Sequence, residues 1–187
     1  IRQKGGKVYV PAVLRNCQVP TKVLVETANL TNATDCANLA DPACGKAPKR
    51  WRAHYGDVPA RLRNPREQQL RTHFAQVIHA LHDAGLPSEF ALIPFVESRY
   101  RPNARSPWGQ AGLWQFTAAT ARRSGLVVRA SHDQRLDAEA STRAAVRYLQ
   151  RLHRMFGKDW RWTAMAYNAG EGAARAARRK GGGKGLS

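Results

Sequence analysis

The chain has 187 residues, 43% of them hydrophobic, which suits one domain with an extension, or one and a half domains, around a real core. Thirty-one Lys and Arg face thirteen Asp and Glu, a formal net charge of +18, and such a surface seeks polyanions: nucleic acid, anionic lipid or anionic cell wall. No apolar run approaches the roughly 18 residues of a membrane span, and the scattered arginines, without a groove-reading motif, argue against nucleic acid. The plainer reading of the charge is solubility. No signal peptide opens the chain, and a start at Ile1 rather than Met fits a processed or truncated piece, so the missing signal says little about compartment.

Residues 1 to 60 read as irregular structure with some strand. Lys7–Leu14 and Thr21–Val25 are short and rich in β-branched residues, and Pro11 argues against a central strand. Cys17, Cys36 and Cys44 all lie here. Their spacing matches no zinc pattern; Cys36 and Cys44 are placed to close a short disulfide loop in an oxidising compartment, and the odd count leaves one thiol over. Three unrelated thiols are the alternative. Lys46–Arg63 reads as a connector, pinned to the core by Trp51 and Tyr55 or else loose.

A strong helix follows. Asn64 is placed to cap it, Pro65 suits its first position, and Glu67 falls where a capping-box acid belongs. Leu70, Phe74, Val77, Ile78 and Leu81 recur at helical spacing, and Gly85 suits a left-handed stop. His73, His79 and His82 on this helix lack the acids or cysteines of a metal site, and no metal or other cofactor is expected. Ser88 is placed to cap the next helix, in which Pro94 forces a kink or begins the last turns. Pro102 disfavours helix at Arg101, so that helix should stop near Ser98–Tyr100 with Glu97 in its final turn. Arg101–Gly112 is a loop able to shape a cleft wall. A short helix opens at Phe116 or Thr117 and ends before Gly125. Asp133 and Arg135 sit in a turn, and Asp137 caps a helix with a stripe of Ala145, Leu149, Leu152 and Phe156 that Gly157 ends. Asp159–Ala169 is a further helix, its Trp160, Trp162 and Met165 read as core. Arg175–Ser187 reads as a helix end fraying into a glycine-rich tail.

Glu97 follows two bulky apolar residues, Phe95 and Val96. Burial disfavours a charged carboxylate, and the partial negative charge at a helix C-terminus acts in the same direction, so its pKa should rise toward the working range of a general acid. Alone, Glu97 reads better as a structural glutamate paired with Arg99 or Arg101. Gly112-Leu113-Trp114-Gln115-Phe116 and Ala166-Tyr167-Asn168-Ala169-Gly170, downstream in this order, change the odds.

Together with Glu97-Ser98 and Asn103-Ala104-Arg105-Ser106-Pro107, these segments resemble the catalytic domain of soluble and membrane-bound lytic transglycosylases, over roughly half the chain. The resemblance implies a mostly α, lysozyme-like domain at 61–180, behind a basic N-terminal extension at 1–60 and before a tail at 181–187. It implies lytic cleavage of the β-1,4 bond between N-acetylmuramic acid and N-acetylglucosamine in peptidoglycan, in the periplasm, the envelope or outside the cell. Glu97 would serve as general acid and then base. Ser106 and Gln115 would contact sugar near the scission point, and Tyr167, with Asn168 beside it, would orient Glu97 or the N-acetyl group. Ser98 supports the glutamate's turn. Trp108, Trp114 and Phe116 offer faces to sugar rings, and for Trp114 core packing is an equal alternative. A basic surface would hold such an enzyme on peptidoglycan and attached anionic polymers. Trp114 and Thr117 stand where the family often has Met, and the family usually continues past Tyr-Asn-Ala-Gly with a helix carrying a further Tyr. Two alternatives remain: a muramidase that uses water, and a wall- or polyanion-binding module without activity.

Overall fold

A computed structural model describes residues 57–179. The expectations for the two β-branched segments, the three cysteines, Trp51, Tyr55 and the glycine-rich tail lie outside the described residues. The remainder is mostly helical and falls into two units, 57–147 and 148–179. No helix among the described residues is long and apolar enough to cross a membrane.

In the first unit, α1 (Val58–Arg63) leads through a 3₁₀ turn (Pro65–Glu67) into α2 (Gln68–Asp83). Leu70, Phe74, Val77, Ile78 and Leu81 are all buried, as their spacing requires. Each such side chain contributes about 1.5–3 kcal/mol over its exposed state. Asn64 does cap, its Oδ1 accepting from the Arg66 amide at 3.0 Å, but it caps the 3₁₀ turn. The capping box is not formed. Glu67 instead accepts from Arg61 Nε and Nη2 at 3.0 and 3.1 Å, and this guanidinium holds its carboxyl below the usual range. A fork of charged donors outcompetes one backbone amide.

Gly85, at φ +64°, ends α2. Its amide bonds to His82 O and that of Leu86 to Leu81 O, both at 2.9 Å, the paired bonds of a left-handed helix stop. Ser88 does not cap the next segment: it opens a 3₁₀ helix (Ser88–Leu92) and is buried, its Oγ unpartnered. Pro94 then sits in the first turn of α3 (Ile93–Glu97), where a missing amide hydrogen costs nothing. Thr117 caps α4 (Ala118–Arg123) through its side chain. A two-residue hairpin not foreseen from sequence follows: β1 (Val128–Arg129) pairs antiparallel with β2 (His132–Asp133), Val128 opposite Asp133. Asp133 therefore ends a strand, while Arg135 lies in the turn beyond it. Asp137 caps α5 (Ala138–Met155), its Oδ1 accepting from the Glu139 and Ala140 amides at 2.9 Å each.

The end of α5 belongs to the second unit, with α6 (Trp160–Ala169) and α7 (Glu171–Arg179). Gly157, at φ +67°, closes α5. Trp162 and Met165 are buried as expected. Trp160 is only half-buried and stacks on His153, centroids 3.3 Å apart. Glu171 pairs with Arg151, tying the start of α7 to α5. The helix runs to Arg179, so the described part of the segment from Arg175 is helix end.

Candidate active site

Glu97 is the last residue of α3, as the flanking prolines dictate. What stops the helix is a pair of left-handed residues, Arg99 at φ +53° and Tyr100 at φ +60°. Side chains with a Cβ resist this conformation, at about 1–3 kcal/mol each. Tyr100 offsets that cost. Its ring packs against Phe95 and Phe74, at 4.6 and 5.7 Å between centroids, and its hydroxyl donates to Ala91 O at 2.9 Å. The Ser98 and Tyr100 amides both bond to Pro94 O, at 3.0 and 3.1 Å.

Ser98 is 3% exposed. Its hydroxyl lies 2.8 Å from Leu113 O and 3.1 Å from Pro94 O, donating to one at a time. It joins the glutamate's turn to the Gly112–Phe116 segment.

Burial pushes the Glu97 carboxyl up to about 7. The neighbouring arginines do not oppose this. Arg99 reaches Asp57 at 3.2 Å, and Arg101 Nε donates to Ser98 O at 3.1 Å. No Lys, Arg or His among the described residues forms an ion pair with Glu97. A carboxyl so placed holds its proton near neutrality and can both give and take it.

The loop from Ala104 to Phe116 stands beside this turn. Ala111 bridges to Arg105 on one side and to Phe116 on the other. Gln115 is left-handed, φ +48°, and its amide nitrogen donates to Ala104 O at 3.2 Å and Gly112 O at 2.9 Å. Ser106 Oγ is held against the Gln110 side chain and accepts from the Trp108 amide at 3.1 Å. Trp114 and Phe116 do not offer faces to a ligand: both are buried, Trp114 is 1% exposed, and its Nε1 donates to Thr142 Oγ1 at 3.1 Å. Core packing is the role the structure gives them. Trp108, by contrast, is 69% exposed.

Within the first unit, the Ser98–Leu113 bond joins the turn that carries Glu97 to the loop that carries Ser106 and Gln115. Tyr167 and Asn168 belong to the second unit, on α6. There Tyr167 lies 5.7 Å from the Tyr148 ring, and Asn168 Nδ2 donates to Ala164 O at 3.1 Å. The other candidate carboxylates are committed elsewhere. Asp133 is held below the usual range by its bonds to Arg135, Asp137 caps α5, and Glu171 pairs with Arg151.

Two supporting residues escaped the sequence. Tyr100 anchors the turn after Glu97, and Arg135 spans the loop, its Nη1 donating to Gly109 O at 2.7 Å and Phe116 O at 3.0 Å. Only the Asp133-x-Arg135 spacing hinted at the second.

A mostly helical domain with a half-buried glutamate at a helix C-terminus, its carboxyl raised and no cation paired with it among the described residues, is of the lysozyme-like class. The family model of the Transglycosylase SLT domain matches residues 78–186, and the chain belongs to that family. The chain is 46% identical over 87 residues to membrane-bound lytic murein transglycosylase D of Escherichia coli (strain K12), covering 46% of this chain and 19% of that protein. It is 42% identical over 81 residues to peptidoglycan transglycosylase gp16 of Escherichia phage T7, covering 43% and 6%. It is 37% identical over 124 residues to membrane-bound lytic murein transglycosylase F of Marinobacter nauticus, covering 63% and 22%. The chain therefore spans about a fifth or less of the length of these relatives.

Proposed function

We propose that this chain is a peptidoglycan lytic transglycosylase that cleaves the β-1,4 bond between N-acetylmuramic acid and N-acetylglucosamine. The carrying observation is Glu97, a carboxyl raised by burial to about 7 with no described cation beside it. Family membership and the names of the relatives support the substrate class.

The chemistry needs one carboxyl. Protonated Glu97 donates to the glycosidic oxygen as the bond to the anomeric carbon breaks. The developing cation is stabilised by the substrate's own N-acetyl oxygen. The carboxylate then takes the proton from the muramic 6-hydroxyl as that oxygen attacks the anomeric carbon, leaving a 1,6-anhydro end and consuming no water. General acid–base help of this kind is worth about 10²–10⁴ in rate. Ser106, Gln115, Tyr167 and Asn168 are assigned to the sugar on the strength of the family resemblance, and Ser98 to support of the catalytic turn. The division into an extension at 1–60, a catalytic domain at 61–180 and a tail, and a Cys36–Cys44 disulfide, belong to the same reading. So do action in the periplasm, the envelope or outside the cell, and retention on anionic wall polymers by the +18 charge.

Digestion of purified sacculi, with mass analysis of the fragments, tests this. Anhydro ends support it, and reducing ends would make the enzyme a water-using muramidase. Release by native protein no faster than by Glu97→Gln would leave only a binding module.

A further inference from the structure

We propose that Trp108 is a stacking platform for a saccharide ring and that Arg135 is the positioning residue that holds it. This rests on the proposed function and assigns it a subsite. Among the described residues Trp108 is by far the most exposed large hydrophobic side chain, and its ring meets no other aromatic ring or cation. One exposed tryptophan is unremarkable on a flexible loop. This one is not on a flexible loop.

It stands at the tip of a turn whose backbone is bonded on every side. The Gly109 amide bonds to Ser106 O at 3.0 Å and the Ser106 amide to Gln110 O at 2.9 Å. The Trp108 amide bonds to Ser106 Oγ at 3.1 Å. Pro107 fixes its own backbone, and Gly109 takes φ +81°, which a side chain would resist. Arg135, 6% exposed, then grips the turn from below. One nitrogen bonds to Gly109 O and to Phe116 O, the two ends of the stretch that carries Gln115. The other two are chelated by Asp133, at 2.9 and 2.8 Å. Gly112 presses on the same residue: a Cβ there would meet Arg135 O at 1.7 Å.

A ring mounted on so fixed a backbone loses little freedom on binding. An indole offers a flat apolar face, and its negative quadrupole attracts polarised C–H groups. The C–H face of a β-linked amino sugar supplies both. Ser106, Gln110 and Gln115 on the same loop give polar groups for its hydroxyl and acetamido edges. A nucleobase would also stack, but the loop offers it no second aromatic face.

The test is binding of the neutral N-acetylglucosamine hexamer by the full chain carrying Glu97→Gln, followed by acrylamide quenching of tryptophan fluorescence and by calorimetry. The hexamer should shield the exposed tryptophan from quencher. Adding Trp108→Ala should weaken binding about tenfold and abolish the shielding; Trp108→Tyr should restore most of the affinity. Arg135→Lys, which keeps a cation but loses the fork, should weaken binding to a lesser degree at an unchanged helical content. In the active enzyme, Trp108→Ala should act on KM more than on kcat. Unchanged hexamer affinity in Trp108→Ala, or an equal loss in the exposed control Val127→Ala, would each overturn the proposal. Because the hexamer is read without cleavage, a failure of the native protein to cut sacculi would sink the function and leave this result standing.

Discussion

Glu97→Gln should abolish activity and stabilise the fold, and the second effect should depend on pH. The carboxyl rises from 4.5 to about 7 because its charged form is poorly solvated in the folded chain. At pH 7 about half the molecules hold the proton, against roughly 0.3% for a glutamate at its ordinary value. Burial thus multiplies the available acid by about 150. The same burial costs stability. Below pH 4.5 folded and unfolded chains are both protonated there and no penalty exists. As pH rises from 4.5 toward 7 the unfolded chain ionises first, and the native state loses about 1.4 kcal/mol per pH step of one. Above 7 the loss levels off near 3 kcal/mol. Glutamine stays neutral throughout and escapes this penalty. Urea melts of both proteins at pH 4 and pH 8.5 read the effect, since every other titrating group cancels in the difference. The variant should gain about 3 kcal/mol relative to native between the two pH values while clearing of sacculi falls by at least about 10²-fold. A stability gap that does not change with pH would show that Glu97 is not held protonated, and the account of the acid would fail with it.

Gly112→Ala should be among the most damaging small substitutions, since its methyl would sit 1.7 Å from the Arg135 carbonyl at a φ of +82°; thermal melts should show a loss of several degrees, and a normal melting point would refute the close approach. Ser98→Ala removes the link between Pro94 O and Leu113 O and should cost about 1–3 kcal/mol, with sacculus cleavage falling further than stability alone explains. Trp114→Phe should lose the bond to Thr142 and about 1 kcal/mol or more of stability, yet leave glycan affinity unchanged; a weakened affinity would return Trp114 to the sugar path.

The long helices were legible because residue type and conformation agree in them. The stripe of α2 lies buried where its spacing put it, and Gly85 and Gly157 end their helices in the left-handed form that glycine favours. Pro94 and Pro102 likewise confined Glu97 to a final turn. Errors arose where a remote partner decided the outcome. Arg61 drew Glu67 out of a capping box, and a hairpin of two residues per strand is too short to show any period. The position of Glu97 at a helix end was legible and the scaffold around it was not, for one physical reason. Arg99, Tyr100 and Gln115 are all left-handed, and no side chain among them advertises it. Each is held by contacts distant in sequence: Arg99 by Asp57, Tyr100 by Phe74 and Ala91, Gln115 by Ala104. Conformations that the local chain disfavours persist only where the surroundings over-determine them. Here Arg99 and Tyr100 follow directly on the helix that Glu97 ends, and Gln115 lies on the segment that Ser98 joins to it.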